Sequence, residues 1–235
     1  VATGHYARLE HRDDGVHLFS GTPEKDQAYA LAQLSRAQLD GLLLPLGTFT
    51  KQQTRAHAAR LGLPVHDKPE SQDICFVEGG DYRDVLAQRG YGTGATGEIR
   101  DAHGELVGAH AGIGEYTVGQ RAGIGGADAA RYVTRIDAST NTIVIGREEE
   151  LLSAGLIADE VNLIRPERFE REAGVLAMIR YRARPVQATA SVDANRALHV
   201  RFTEPQRAVT PGQLVALFDE GGEEVLGAAT IREAA

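Results

Sequence analysis

The sequence predicts a multidomain α/β-plus-β protein in which a helical first third gives way to two β-rich segments. Three observations lead there. Apolar residues recur at helical spacing in the first third. From about Gly92 glycine becomes dense and short β-type runs take over. The stretch from residue 156 onward then holds five strand-like runs separated by turn residues, the pattern of a small antiparallel barrel or sandwich. The expected domains are residues 1–90, 91–155 and 156–235.

Taken in order, Val1 to His5 reads as the end of a buried strand entering a loop, so the chain is expected to begin part-way through a domain. Lys25 to Leu34 carries apolar residues at Tyr29, Leu31 and Leu34, and Ser35 caps a following helix that buries Leu39, Leu42 and Leu43. Thr50 and Gln53 form a capping box for a helix stopped at Gly62, with Pro64 preventing continuation. Gly80 and Asp81 open another helix, Tyr82 to Gln88, closed by Gly90. The central segment offers strands at Glu98–Arg100, Glu115–Val118, Arg131–Asp137 and Asn141–Ile145, the last two joined by a hairpin loop. The final segment offers strands at Leu176–Arg184, Thr189–Val192, Leu198–Phe202, Leu214–Phe218 and Val225–Ile231. Asp193–Asn195, Pro211-Gly212 and Glu220–Glu223 supply the turns.

The chain has 235 residues, 42% hydrophobic and 25% charged, an ordinary globular composition. No apolar run approaches the roughly 18 residues of a membrane helix, and no basic-then-apolar leader is visible. No membrane association is expected. A lone cysteine excludes an internal disulfide framework and agrees with a reducing compartment, so the expected location is the cytoplasm. Net charge is −8, which by itself disfavours nucleic acid. Its distribution is uneven, however: Met178 to Arg207 holds six arginines against two carboxylates, a local +4 that leaves −12 elsewhere. A basic patch on an acidic body can bind RNA locally; a solvated strand face fits the same residues.

Few residues suggest chemistry unaided. Cys75, between Ile74 and Phe76, reads first as a small buried hydrophobe, and a reactive role would need a nearby cation or helix terminus to hold its thiolate. Gly4-His5-Tyr6 offers a glycine where backbone could approach a ligand. Asp26, in Lys25-Asp26-Gln27, suits a helix start. A strand through Arg180, Arg182 and Arg184 would present three guanidiniums on one face, a spacing suited to phosphates. The eight histidines show no metal-ligand spacing, and no metal centre is expected.

Together these pieces resemble one family. Ala2–Arg8, Lys25–Gln27, Lys68–Phe76, Thr117–Arg121, Arg180–Arg182 and Val209–Gln213 are similar, in this order and at similar spacing, to motifs of the tRNA-specific 2-thiouridylases. The resemblance implies the C-terminal remnant of an adenine-nucleotide hydrolase-like α/β domain, a small β-rich central domain and a C-terminal antiparallel β-barrel. It also implies a reaction: ATP with Mg2+ adenylates the 2-oxygen of the wobble uridine, and sulfur from a cysteine persulfide replaces it. By this correspondence Cys75 is the catalytic persulfide carrier and Gly4 approaches ATP. His5, Lys25, Asp26, Gln27, Arg180, Tyr181 and Gln213 contact tRNA at its anticodon arm. A sulfur-donor protein is a further expected partner, and a monomer the expected form.

There are departures from the family pattern. Its pyrophosphate loop, catalytic aspartate and first cysteine are not found in this sequence, so the chain by itself is expected to be inactive in thiolation. Ala122 stands where the family usually has a lysine. With their usual sheet partners wanting, residues 1 to about 90 are expected to be the least stable part. The rival reading is a non-catalytic RNA-binding β-barrel protein.

Overall fold

A computed structural model describes residues 1–22, 25–67, 85, 88, 94–123 and 130–235. They fall into two compact units. One comprises Val1–Lys68, Ala154–Pro205 and Pro211–Ala235; the other comprises Pro69–Ser153 and Gln206–Thr210.

The first unit opens with a hairpin that the helical reading of the first third did not anticipate. Strand β1 (Ala7–Arg12) pairs antiparallel with β2 (Gly15–Ser20), Ala7 opposite Ser20 and Arg12 opposite Gly15. The turn is Asp13-Asp14, and Gly15 sits at φ 119°, which a side chain would strain. Two short helices follow, α1 (Ala28–Leu31) and α2 (Arg36–Asp40). Helix α1 is much shorter than the stretch from Lys25 to Leu34 suggested. Ser35 caps α2 as expected, through a capping box with Gln38 that was not foreseen. The helix ends at Asp40, however, and Leu43, expected to be buried on it, is exposed. Thr50 and Gln53 form the expected capping box for α3 (Lys51–Arg60), and Gly62 follows in the left-handed region at φ 67°. Helix α2 buries Leu39 completely, whereas α3 has no buried residue.

The second unit holds a mixed four-stranded sheet of β3 (Gly97–Asp101), β4 (Leu106–His110), β5 (Tyr132–Asp137) and β6 (Thr142–Gly146), ordered β4-β3-β6-β5. Only β3–β6 runs parallel. Ile99, Val133, Ile143 and Ile145 form its buried cluster. The strand expected over Glu115–Val118 is absent. Ile113–Glu115 makes a 3-10 turn instead, and Thr117–Gln120 is a turn whose Gly119 N–H donates to Val133 O at 2.8 Å.

The chain returns to the first unit along β7 (Leu152–Leu163), continuing through β8 (Ala173–Met178), β9 (Val186–Val192), β10 (Leu198–Arg207), β11 (Leu214–Phe218) and β12 (Glu224–Ala234). Their order is β12-β11-β8-β9-β10-β7, and pairing of β12 with β7 closes a six-stranded antiparallel barrel. Strand β7 had no counterpart in the sequence reading. Expected strand Leu176–Arg184 is corrected as well: β8 ends at Met178, and residues 180–184 form a turn with Arg182 at φ 63°. Pro185 lies just beyond, and a proline has no N–H to give a ladder.

The N-terminal hairpin is attached to this barrel. Phe19 and Leu18 of β2 pair with Glu224 and Val225 of β12. One buried cluster combines Val16, Leu18, Tyr29 and Leu39 with Met178, Phe218 and Val225. The expectation that residues 1 to about 90 want sheet partners is therefore corrected for β1 and β2, which have found one in the barrel. A charged contact holds the hairpin's tip. Asp14 Oδ1 lies 2.9 Å from His17 Nε2, and Glu224 Oε1 lies 2.7 Å from His17 Nδ1. Arg165 donates to Asp14 and to Glu167. His17 is 2% exposed, so this network sits at the barrel surface with its middle closed off from water.

Candidate functional site

Six of the residues singled out by resemblance gather on the first unit, around two clefts. A cleft of about 490 Å³ is lined by Arg8, Lys25, Asp26, Tyr181, Arg182 and Glu223, among others. A second, of about 650 Å³, is lined by Gln27, Tyr29, Arg180, Tyr181 and Gln213. Tyr181 belongs to both.

The loop from β2 to α1 is drawn tight by the chain itself. Asp26 Oδ1 accepts hydrogen bonds from Gly21 N–H at 2.8 Å and Ala28 N–H at 3.2 Å. Gln27 and Tyr6 bond reciprocally: Gln27 Oε1 accepts from Tyr6 N–H, and Gln27 N–H donates to Tyr6 O, each at 3.0 Å. A Cβ at Gly21 would lie 2.3 Å from Tyr6 O, so only glycine allows this approach. Asp26 and Gln27 thus shape the cleft walls in addition to lining them.

The turn after β8 distributes its side chains. On a strand, Arg180 and Arg182 would share a face. Here Arg180 lines the larger cleft and Arg182 the smaller, with Tyr181 at both. Tyr181 is 47% exposed, and the Arg182 guanidinium carbon lies 5.3 Å from its ring centroid. Behind it stands Tyr29, with ring centroids 6.1 Å apart and a 38° tilt. Tyr29 donates its hydroxyl to Leu214 O at 2.8 Å, and burial pushes its phenol up to about 12 against the opposing charge of Arg180. A fixed aromatic therefore backs an exposed one.

Gln213 adds an unmet need. Its Oε1 is buried and lacks a hydrogen-bond partner among the described residues. Leaving such an acceptor unsatisfied costs about 1–3 kcal/mol.

Other predicted residues lie apart from the clefts. Gly4 and His5 precede β1; His5 Nδ1 is 2.9 Å from Thr3 Oγ1. A Cβ at Gly4 would meet only Leu46 Cδ1, at an ordinary 3.5 Å, so packing of the described chain does not demand glycine there. Cys75 and the helix expected over Tyr82–Gln88 lie outside the described residues, save isolated positions 85 and 88. Arg184 is not among the residues lining either cleft. Ala122, the departure from the family pattern, packs against the buried cluster of the second unit. Among the described residues no group of three or more His, Cys, Asp or Glu is placed to hold a metal ion, and no helix is long and apolar enough to cross a membrane.

Reading by sequence missed Arg8 and Tyr29 as site residues, and Glu223. Arg8 ends the first motif and Tyr29 lies two residues beyond the second, so adjacency was the available signal; Glu223 offered only turn chemistry.

Comparison with known proteins gives a consistent result. Family models match in succession: the tRNA methyl transferase HUP domain over residues 1–79, the tRNA methyl transferase PRC-barrel domain over 83–147, and the aminomethyltransferase beta-barrel domain over 153–231. A tRNA-specific 2-thiouridylase of Caldanaerobacter subterraneus is 41% identical over 99% of this chain and 65% of its own length. One from Carboxydothermus hydrogenoformans is 44% identical over 99% of this chain and 64% of its own. One from Acetivibrio thermocellus is 42% identical, with 99% and 65% covered. The chain thus spans just under two thirds of these relatives.

Proposed function

Because the chain belongs to the tRNA-specific 2-thiouridylase family, we propose that its two clefts hold the anticodon arm of a tRNA whose wobble uridine exchanges its 2-oxygen for sulfur. The observation that carries this reading is Tyr181, exposed at the shared wall, backed by Tyr29 and flanked by Arg180 and Arg182. An aromatic face accepts an unstacked base from a single-stranded loop, and guanidiniums beside it meet the phosphates. Gln213 lines the larger cleft beside them, where its amide would meet a base edge. Gln27 and Asp26 hold the loop carrying Lys25 at the rim.

In the full reaction, ATP with Mg2+ supplies the activation that makes the 2-oxygen a leaving group. Of the described residues only Gly4 corresponds to the ATP site, where the lack of a side chain would let a ligand lie against backbone. Cys75 would carry the sulfur: the terminal persulfide sulfur attacks C2 and the activated oxygen leaves. A second thiol from outside this sequence then attacks the Cys75 sulfur, forming a disulfide with it and leaving the outer sulfur on C2. A donor protein would load that sulfur in the cytoplasm.

The test has two arms. Tyr181→Ala combined with Arg180→Gln should weaken binding of an anticodon-arm hairpin by about ten- to a hundredfold, the size of a lost stacking platform; unchanged binding would end the tRNA reading. In the full gene product treated with a sulfur donor, mass spectrometry should find one added sulfur on the Cys75 peptide, and Cys75→Ser should abolish 2-thiouridine. RNA binding without sulfur on Cys75 would favour a non-catalytic RNA-binding protein.

A further inference from the structure

The smaller cleft carries a pair of charges that the thiolation reading leaves unused. Arg8, on β1, is held before any ligand arrives. Its Nε donates to Ser20 O at 3.0 Å, and its guanidinium carbon lies 5.4 Å from the centroid of Phe19, which is itself 8% exposed. Two contacts thus fix the plane of the guanidinium, and ordering it on a ligand costs little further entropy.

The remaining edge faces a carboxylate. Arg8 Nη2 lies 3.9 Å from Glu223 Oε2, at the limit of an ion pair, with side chains 36% and 73% exposed. A pair this loose and this wet is worth about 0–1 kcal/mol. Backbone bonds keep the two residues together: Ser20 N–H donates to Glu223 O at 2.8 Å, and Asp219 Oδ1 accepts from Glu223 N–H at 2.8 Å. The root of Glu223 is therefore fixed while its carboxylate reaches water.

Other charges in the cleft differ. Lys25 and Arg182 add positive charge to the same wall, and Asp26 gives its Oδ1 to two backbone N–H groups of the loop. The carboxylate with freedom to yield is Glu223.

We propose that Arg8 is a phosphodiester ligand for RNA and that Glu223 is its resident counter-charge, displaced when a backbone phosphate enters the smaller cleft. This rests on the RNA-binding reading above and adds a contact and an exchange to it. A phosphate offers the guanidinium a bidentate partner in place of a 3.9 Å one. On a chain of net charge −8, a carboxylate competing at that position also turns away polyanions that do not fit the rest of the cleft.

The experiment is a salt titration of anticodon-arm hairpin binding by the 235-residue chain, followed by fluorescence anisotropy. Arg8→Gln should weaken binding and reduce the magnitude of the slope of log K against log salt by about 0.7–0.9, the share of one phosphate. Glu223→Gln should tighten binding about two- to fivefold, the worth of an exposed pair. In the Arg8→Gln background that gain should shrink, since the carboxylate then only repels the phosphate and has no guanidinium to occupy. An equal gain in both backgrounds, or an unchanged slope in Arg8→Gln, overturns the proposal. Arg8→Lys guards against misfolding: it keeps the charge, so the slope should stay within about 0.2 of the parent's. Were Arg8→Lys to match Arg8→Gln, with a lowered melting temperature, Arg8 would be a packing residue and the proposal would fail. Tyr181→Ala separates the two readings. Binding lost there but normal in Arg8→Gln overturns the phosphate contact alone, while a chain that binds no hairpin overturns both.

Discussion

The two units bury their hydrophobic residues in different ways. In the barrel unit one cluster draws Val16, Leu18 and Leu39 from the start of the chain and Phe218, Val225 and Ala228 from its end. In the mixed-sheet unit the cluster is Ile99, Val133, Ile143 and Ile145, all from within about fifty residues of one another. A core assembled from distant segments fixes those segments together; a local core fixes only itself. The candidate clefts sit on the first kind. Arg8 and Tyr181 share a wall because β2 pairs with β12, so the same burial that stabilises the barrel sets the geometry at its surface.

The largest test of this contrast is Leu18→Ala. Leu18 is fully buried at the hairpin–barrel junction, and truncation should cost about 2–5 kcal/mol. Amide exchange should then quicken in β11 and β12 as well as in β1 and β2; a loss confined to the hairpin would mean the segments are separately stable. A smaller effect is expected from Ile143→Val, about 0.5–1.5 kcal/mol. It should lower protection of β3, β5 and β6 and leave the barrel strands unchanged, and barrel strands that follow it would erase the contrast.

The smallest effect is a pH dependence at the hairpin tip. The hydrogen bond to His17, and then that to Arg165, hold the Asp14 carboxyl far below its ordinary 3.8. A depressed carboxylate contributes stability that is present above its unfolded value and is lost as pH falls through the folded one. Thermal melts should therefore show Asp14→Asn less stable than the parent at neutral pH, with the gap narrowing below about pH 3.8. A gap constant into strong acid would remove the charge from the explanation.

Local signals were readable where the structure obeys local rules. The cap at Ser35, the capping box at Thr50 and strand β11 lie where the sequence puts them. Asp13-Asp14-Gly15 is turn chemistry for a hairpin, but His17 between Val16 and Leu18 blurs the alternation, and the partner strand lies two hundred residues away. Strand β7 hides for another reason: Gly155 and Glu160, the latter at φ 53°, break its period-two pattern. The arginines at 180–184 look like a strand in sequence and are a turn in space. Six of the contact residues implied by resemblance converge on the clefts, but nothing local could reveal that Arg8 faces Glu223.

Attaching a hairpin to a closed barrel has a consequence for how the molecule meets others. Closure of β12 on β7 hides the backbone hydrogen-bonding groups of the barrel, but among the described residues β1 is the terminal strand of the sheet. Unpaired strand margins invite other chains to add on, a route to aggregation. Here the margin is short and defended. Gly47 comes so near its start that a Cβ there would lie 2.0 Å from Ala7 O, and Arg8, Glu10, His11 and Arg12 place charged or polar side chains along the rest. An incoming strand would have to desolvate them.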